Sequence, residues 1–405
     1  MFSAEELSKL RFGMSDLPKL GGSPGDYEEK LSQWFLERSF FRDFTYRNPR
    51  GKKKGEELAD AVVLFGDVGL LVQVKAQHGN REAAAWATEA TLKALKQVQA
   101  THDNLKSGAI KKLKNDIYGE VEFDPASYPN LYGIIILAHE SAPYDAQALV
   151  PEITQANFPI DVFSLRDVAL LTHRFDTAGD FVNFVELRTD LRGSIRFLVN
   201  DEEKNLERMI LHVRSIYAQH MQPITGEMLD KTVEAFRKSA TGELLSLPEW
   251  KYGLAIDDMI ARAHHKDPNL PWNVGQNSVS SAVGRFLGWL TRDRRIKLGK
   301  RIIEKCERAA KDGQPHYFSH FQKARGTASV YLVTNLARQE RVNYLQFLVA
   351  YACFKYGANQ CFGVVTEPIG SGRSYDFTLT RRELPPKSIQ YFQSIEDPFG
   401  SGGAL

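Results

Sequence analysis

Cysteine is scarce in this chain, and its few copies are poorly placed for any shared chemistry. The 405 residues include only Cys306, Cys353 and Cys361, and no two of them form a Cys-x-x-Cys pair. A disulfide framework or a four-cysteine zinc site within one chain is therefore excluded. We expect a reducing compartment, the cytoplasm, as the location of the protein.

Long apolar runs are also missing. The longest clean run is Tyr132–Ala138, far short of the about 20 residues that a membrane-spanning helix needs. The first ten residues carry Glu5 and Glu6 and lack the apolar segment of a secretory signal. We therefore expect a protein that has no membrane as a partner.

The chain has almost no excess of charge of one sign. Lys and Arg together number 52 and Asp and Glu 50, which gives a formal net charge of +2. A wholly basic coat protein is excluded, although local basic patches are not. Because 43% of the residues are hydrophobic and 25% are charged, each segment of domain size can bury a core.

The pattern along the chain predicts three folded segments. Helical spacing dominates from Asp201 onwards, and apolar β-branched runs return after Gly313-Gln314-Pro315. We expect an N-terminal extension over 1–20, an α/β domain with a mixed central sheet flanked by helices over 21–196, a mainly helical domain that is a candidate winged helix-turn-helix over 197–315, and a small α/β module with a flexible tail over 316–405.

Two apolar runs near the start of the second segment predict a β-hairpin. Leu58–Phe65 contains Asp60 as its only charge among apolar residues, Gly66-Asp67 supplies a turn, and Val68–Val74 is the second run. The neighbouring pattern predicts helices over Asp26–Arg38 and Arg81–Leu105, strands over Leu131–Ala138 and Pro159–Phe163, and one or two helices over Asp167–Leu187 with a break near Thr177-Ala178-Gly179.

Three polar side chains meet at one end of this hairpin. Gln73 and Lys75 share a strand face because they are two residues apart, and Asp60 begins the partner strand. A buried carboxylate and a buried lysine are each costly alone. The carboxylate of Asp60, the side-chain oxygen of Gln73 and the carbonyl of Val74 are hard ligands that suit Mg²⁺. Lys75 can then steady an attacking water or the charge that develops on a phosphoryl oxygen.

The string Asp60-x12-Gln73-Val74-Lys75 resembles the PD-(D/E)XK motif of the restriction-endonuclease-like superfamily. It is most similar to the Mrr-like subset, which has glutamine in place of the acid, and Ala59 stands where the motif's name has proline. The stretch Gly25-Asp26-Tyr27-Glu28 resembles the family's helix glutamate, so the resemblance implies that Glu28 helps to hold the metal, with Glu29 as a competitor for that role. The resemblance covers about residues 20–195.

The resemblance implies a Mg²⁺-dependent endonuclease, with Mn²⁺ as an alternative metal. In that family the expected substrate is DNA, the biological role restriction or anti-phage defence, and the assembly a homodimer or a higher homo-oligomer. Three other interpretations remain open at this point. Asp60 and Lys75 can form an ordinary salt bridge, the chain can be a non-catalytic, sequence-specific DNA-binding regulator on a nuclease-like scaffold, or the substrate can be RNA.

Two basic segments flank the hairpin in sequence. Residues 42–54 contain six basic residues against Asp43 alone, and residues 93–114 contain six against Asp103. Because phosphate neutralisation drives nucleic-acid affinity, both segments favour binding of double-stranded DNA; the alternative is two solvated surfaces. The residues assigned to this binding are Arg50, Lys52, Lys53, Lys54, Lys93 and Lys96.

The helical segment contains a candidate base-reading helix at 277–287. In a helix-turn-helix arrangement Ser278, Ser281 and Arg285 would face a major groove. The alternative is a bundle helix that packs its apolar side chains, and the two interpretations are compatible because that face packs in either case.

Overall fold

The computed structural model describes residues 25–40, 44–47, 59–77, 82–115, 119–139, 141–220, 234–264, 279–368, 374–381 and 383–399. Contacts divide the chain into two compact units. The N-terminal unit comprises the described residues of Met14–Leu247 and Gly288–Asp293, and the C-terminal unit those of Pro248–Leu287 and Arg294–Leu405. The domain boundaries expected at 196/197 and 315/316 fall inside these units and stay predictions.

The N-terminal unit is built on a seven-stranded mixed sheet, in the order β5-β4-β1-β2-β3-β6-β7. Strands β3, β6 and β7 run parallel, and the other neighbours pair antiparallel. Its elements are α1 Asp26–Phe40, β1 Thr45–Arg47, β2 Ala61–Phe65, β3 Val68–Ala76, α2 Ala83–Lys106, β4 Lys112–Asn115, β5 Gly119–Glu122, β6 Asn130–Ala138, a helical turn at Ala146–Leu149, β7 Ile160–Ser164, α3 Leu165–Arg174, α4 Ala178–Leu191, α5 Glu202–His220, a helix over 234–240 and a helical turn at Glu243–Ser246.

The hairpin expected from the sequence is strands β2 and β3. All five residues of β2 are buried, and the turn between the strands uses Gly66 at φ +63°, a backbone conformation that glycine adopts without steric cost. Helix α2 then crosses back to the parallel strand β6 and covers one face of the sheet with Trp86, Ala90 and Leu95. A mixed α/β architecture with helices on the sheet is thereby confirmed.

The opposite face of the sheet is covered by α1 and the helices after β7. The ring centroid of Phe40 lies 6.2 Å from that of Phe65 on β2 and 5.3 Å from that of Phe181 on α4. The break expected near Thr177 is confirmed, because the Thr177 side chain caps α4 by accepting from the Asp180 backbone N–H. Helix α1 is therefore fixed over the hairpin by large apolar side chains.

The C-terminal unit contains a second, four-stranded sheet in the order β11-β10-β9-β8. Strands β9 and β10 run parallel and their outer neighbours are antiparallel. Helix α9 connects β9 to β10 and packs on this sheet through Leu345, Leu348 and Val349. The elements are α6 Trp250–His264, α7 Val279–Gly288, α8 Arg292–Asp312, β8 His316–Gln322, β9 Thr327–Val333, α9 Arg338–Tyr356, β10 Gln360–Thr366, β11 Tyr375–Arg381 and α10 Pro386–Ser394. The last residue of α7 and the first two residues of α8 belong to the N-terminal unit.

The segment expected to be helical, 197–315, contains helices and no paired strands in the residues that the structure describes. A wing would require a β-hairpin, and none occurs in the described part of this segment. Strands β8 to β11 follow residue 315, and β8 was not expected from the sequence. The small α/β module over 316–405 stays a prediction. Within the described ranges, no helix has both the length and the apolar character that crossing a bilayer requires.

Candidate functional site

Asp60 precedes β2 and lies beside the end of β3. Ala61 pairs with Val72, and the Asp60 backbone N–H also donates to the Val72 carbonyl, at 3.1 Å. Gln73 and Lys75 lie on the same face of β3 because side chains alternate along a strand. The three residues that the sequence predicted to meet are therefore brought to one end of the hairpin, on the face that α2 covers.

The Asp60 carboxylate accepts hydrogen bonds from two groups on β3. The Val74 backbone N–H donates to Oδ2 at 2.6 Å, and the Gln73 side-chain amide donates to the same oxygen. These bonds fix the carboxylate at the point where the strand pair ends. The Val72 carbonyl points towards Asp60, so the two-residue period of the strand directs the Val74 carbonyl to the same side.

The other end of the Gln73 amide group is a buried oxygen without a partner. Gln73 is 2% exposed, and its Oε1 has no hydrogen-bond partner among the described residues. Leaving a buried polar atom unsatisfied costs about 1–3 kcal/mol, so a cation or another ligand at this position would stabilise the site. An amide oxygen beside a carboxylate suits a hard divalent cation.

Lys75 is partly buried and makes no ion pair with any residue that the structure describes. Burial lowers the pKa of its ammonium group, Asp60 and Glu29 oppose that shift, and Lys93 adds to it. The attraction to Asp60 thus acts through space, and no direct bridge joins the two groups. The described contacts therefore give no support to an ordinary Asp60–Lys75 salt bridge.

The two adjacent glutamates of α1 differ in their relation to Lys75. Both lie in the first turn and are half-buried, but consecutive helical residues point about 100° apart. Glu29 is the one whose charge acts on Lys75. The assignment of Glu28 to the metal stays a prediction, and the electrostatics favour its neighbour Glu29.

The residues at this end of the hairpin fit a divalent cation. Asp60, the orphan Oε1 of Gln73 and the Val74 carbonyl supply three oxygens, and Glu29 supplies a second carboxylate nearby. The described residues contain no group of three or more His, Cys, Asp or Glu side chains that could hold a metal. A metal here would therefore rely on amide and carbonyl oxygens, and weaker affinity than in a carboxylate-rich site is expected.

The basic residues predicted to bind nucleic acid have different positions. Arg50, Lys52, Lys53 and Lys54 lie outside the described residues. Lys93 and Lys96 are exposed on α2, and only Lys93 acts on Lys75. The later part of the basic segment 93–114 lies outside α2, because Lys112 and Lys114 belong to β4. There Lys112 pairs with Glu120 at 3.2 Å.

The candidate base-reading helix corresponds to α7. Ser278 lies outside the described residues, and the backbone of Ser281 belongs to this helix. Arg285 is half-buried. The apolar face packs as expected, with the Phe286 ring 4.8 Å from the Phe362 ring on β10.

Sequence reasoning missed His139, which follows β6 at the end of the sheet where Lys75 lies on β3. Lys75 is paired with Leu137 in the parallel register, so His139 follows two residues later on the same face. Its ring lies 4.8 Å from the Trp86 ring. Burial lowers the pKa of the imidazole, and a hydrogen bond with the Leu137 backbone partly opposes that shift. Its place directly after a buried strand was the available signal.

Comparison of the chain with protein-family models, curated proteins and solved structures gives no match. Functional assignment therefore depends on the residues and contacts of the site itself.

Proposed function

We propose that this protein is a divalent-metal-dependent nuclease that hydrolyses phosphodiester bonds, with DNA as the expected substrate. The observation that carries the proposal is the orphan Oε1 of Gln73 beside the Asp60 carboxylate, with Lys75 two residues along the same strand face. A structural ion pair would join Lys75 to Asp60 directly, and the described residues contain no such bridge.

Each residue has a distinct role in this proposal. Asp60, Gln73 and the Val74 carbonyl hold Mg²⁺ or Mn²⁺, and a glutamate of α1 completes the set. The bound metal would polarise a phosphoryl oxygen and lower the pKa of a coordinated water. The Lys75 ammonium donates a hydrogen bond to the attacking water or to a non-bridging oxygen, where positive charge stabilises the developing negative charge.

Lys93 extends the positive charge of the site towards solvent. It is exposed on α2 and close enough to influence Lys75, so it can hold the phosphate that follows the scissile one. Phosphate contacts of this kind position a substrate and carry no sequence information. The expected homodimer, which would cut both strands of a duplex, stays a prediction.

The test is cleavage of supercoiled plasmid DNA with Mg²⁺ or Mn²⁺ against EDTA, by wild type, Lys75→Ala and Lys204→Ala. Lys204 is an exposed lysine paired with Asp201 at 3.6 Å and serves as the matched control. We expect metal-dependent nicking or linearisation by wild type and Lys204→Ala, and its loss in Lys75→Ala with DNA binding retained.

Two outcomes would contradict the proposal. DNA binding without metal-dependent cleavage of any DNA or RNA substrate would favour a non-catalytic regulator. Cleavage of RNA alone would support metal-dependent phosphodiester hydrolysis and contradict DNA as the substrate. Isothermal titration with Mn²⁺ is an independent readout of the metal site, since Asp60→Asn should weaken metal binding whether or not the nucleic-acid substrate has been found.

A further inference from the structure

Helix α8 of the C-terminal unit carries basic side chains along one of its faces. Arg294, Arg301, Lys305 and Arg308 follow one another at spacings of seven, four and three residues, which places them on the same side of a helix. We refer to these four residues as the basic stripe. None of them forms an ion pair with any residue in the part of the chain that the structure describes.

Four of the five remaining cations of α8 are neutralised or lie elsewhere, and the fifth, Lys297, is exposed about 50° from the centre of the stripe. Arg292 and Arg295 are buried and pair with Asp176 at 3.0 Å and with Asp257 at 2.6 Å. Lys300 and Lys311 lie roughly 100° around the helix from the stripe, given about 100° per residue. Glu307 is on that same outer side, whereas Glu304 borders the stripe, three residues after Arg301 and four before Arg308. Asp312, four residues after Arg308, pairs with His316 at 2.8 Å.

The stripe borders strand β8, which is an edge strand of the four-stranded sheet. The Arg301 guanidinium lies 4.3 Å from the centroid of the Phe318 ring. A planar guanidinium held against a ring keeps its N–H edge available for bidentate bonds to a phosphate. The aromatic support therefore orients the cation without neutralising it.

The charges of the stripe repel one another. Burial lowers the pKa of Lys305, and the neighbouring charges of Arg308 and Arg301 lower it further. Burial also lowers the pKa of Arg301, which Glu304 only partly opposes. A polyanion that binds along the helix would relieve this repulsion and release its own counterions.

We propose that the basic stripe binds the phosphodiester backbone of a nucleic acid. Arg294 and Arg308 are separated by 14 positions, or about 21 Å of helix at 1.5 Å per residue, so the stripe is long enough to contact several successive phosphates. This surface is distinct from the hairpin site and lies in the other unit. It would hold nucleic acid whether or not Asp60, Gln73 and Lys75 cut it.

The test compares two double variants that each remove two exposed charges from the same helix. Arg294→Gln/Arg308→Gln changes the stripe, and Lys300→Gln/Lys311→Gln is the control. Binding of the full-length protein to a short DNA duplex is measured by fluorescence anisotropy in EDTA over a range of salt concentrations. Each phosphate contact contributes a slope of about 0.9 in log K against log salt. We expect the stripe variant to be shallower than wild type by about 1.8 and the control to match wild type.

An unchanged slope in the stripe variant, or equal changes in both variants, would overturn the proposal. Lys305→Gln removes a single charge and should reduce the slope by about half as much. A duplex RNA tested in parallel shows whether the stripe binds DNA, RNA or both. Binding of either nucleic acid supports the proposal. Polyglutamate binding that equals duplex binding and is lost with the stripe would instead assign this surface to an acidic protein partner.

Discussion

The backbone N–H of Val74 donates to the Asp60 carboxylate across 2.6 Å, and the Gln73 side chain donates to the same oxygen. These bonds join β3 to the residue that precedes β2. Because both donors belong to adjacent residues of one buried strand, a change at Gln73 acts directly on Asp60. The candidate site is therefore coupled to the stability of the hairpin.

Replacing Gln73 with glutamate should make the stability of the protein depend on Mg²⁺. The change removes the amide donor and places a second carboxylate against Asp60, so the free energy of unfolding without metal should fall by about 1–3 kcal/mol. Divalent metal should compensate the two carboxylates, and cleavage should be retained or raised. Thermal unfolding with and without Mg²⁺ measures the effect.

The matched control for this experiment is Gln73→Met, which fills a similar volume but supplies neither a donor nor a ligand. It should also be less stable than wild type, without the rise in Tm on addition of Mg²⁺. If the Tm of Gln73→Glu does not change on addition of Mg²⁺, Gln73 does not face a metal site.

Glu29 should contribute more to metal-dependent cleavage than Glu28. Of the two glutamates, Glu29 is the one whose charge acts on Lys75. Glu29→Gln should therefore raise the Mg²⁺ concentration for half-maximal activity by about tenfold or more, as loss of a group supporting a metal site does. Glu28→Gln should be closer to wild type. Metal titrations of the cleavage rate measure both, and the reverse order of effects would restore Glu28 as the metal-binding glutamate.

Sequence patterns predicted the parts of this structure that depend on local chain geometry. The hairpin, its polar end and the buried strand β6 follow from apolar runs, a Gly-Asp turn and the two-residue strand period. Strands β1 and β4 did not follow, because they are short and pair with each other across a large sequence separation. A weak local pattern cannot reveal such partners.

In the candidate site too, only the features set by local chain geometry could be predicted. Asp60, Gln73 and Lys75 lie within one hairpin, so their meeting could be read from register. The choice between Glu28 and Glu29 and the contributions of Lys93 and His139 depend on how helices are rotated over the sheet and where a second strand ends. Those relations are set by tertiary packing and have no signature in the local sequence.

Lys93 should tune the pH dependence of cleavage through Lys75. A neighbouring positive charge disfavours the ammonium form, so Lys93 lowers the pKa of Lys75. Removing that charge in Lys93→Gln should raise the pKa and move the alkaline limb of the rate profile to higher pH. Lys96→Gln is the control, because Lys96 is exposed on the same helix and does not act on Lys75. Identical limbs in wild type and Lys93→Gln would contradict a role for the Lys75 ammonium.

Arg295 should matter for folding and not for nucleic-acid binding. Its side chain and that of Asp257 are each 1% exposed, with 2.6 Å between Nη1 and Oδ1. Arg295→Met leaves a buried carboxylate without this partner, so the free energy of unfolding should fall by about 3–5 kcal/mol. The double variant Arg295→Met/Asp257→Leu should recover much of that loss in chemical denaturation. A stable single variant with weakened DNA binding would place Arg295 on the binding surface.

His320 should make the protein less stable in mild acid. Burial, followed by the charges of Arg294 and Arg301, lowers the pKa of its imidazole to about 4, whereas an unfolded chain has a histidine pKa near 6.5. Between these two values the unfolded state binds more protons than the folded state. Stability is therefore fully present above pH 6.5 and falls as the pH drops towards 4, by up to roughly 3 kcal/mol from this group.

The variant His320→Gln removes that proton-linked loss, so its stability relative to wild type should increase as the pH is lowered. Urea unfolding of both proteins at several pH values between 4 and 7.5 isolates the contribution, because the other titrating groups are shared. His316→Gln is the control on the same strand, where the ring pairs with Asp312 at 2.8 Å. A difference between wild type and His320→Gln that does not vary with pH would mean that the imidazole is not held neutral between α8 and β8.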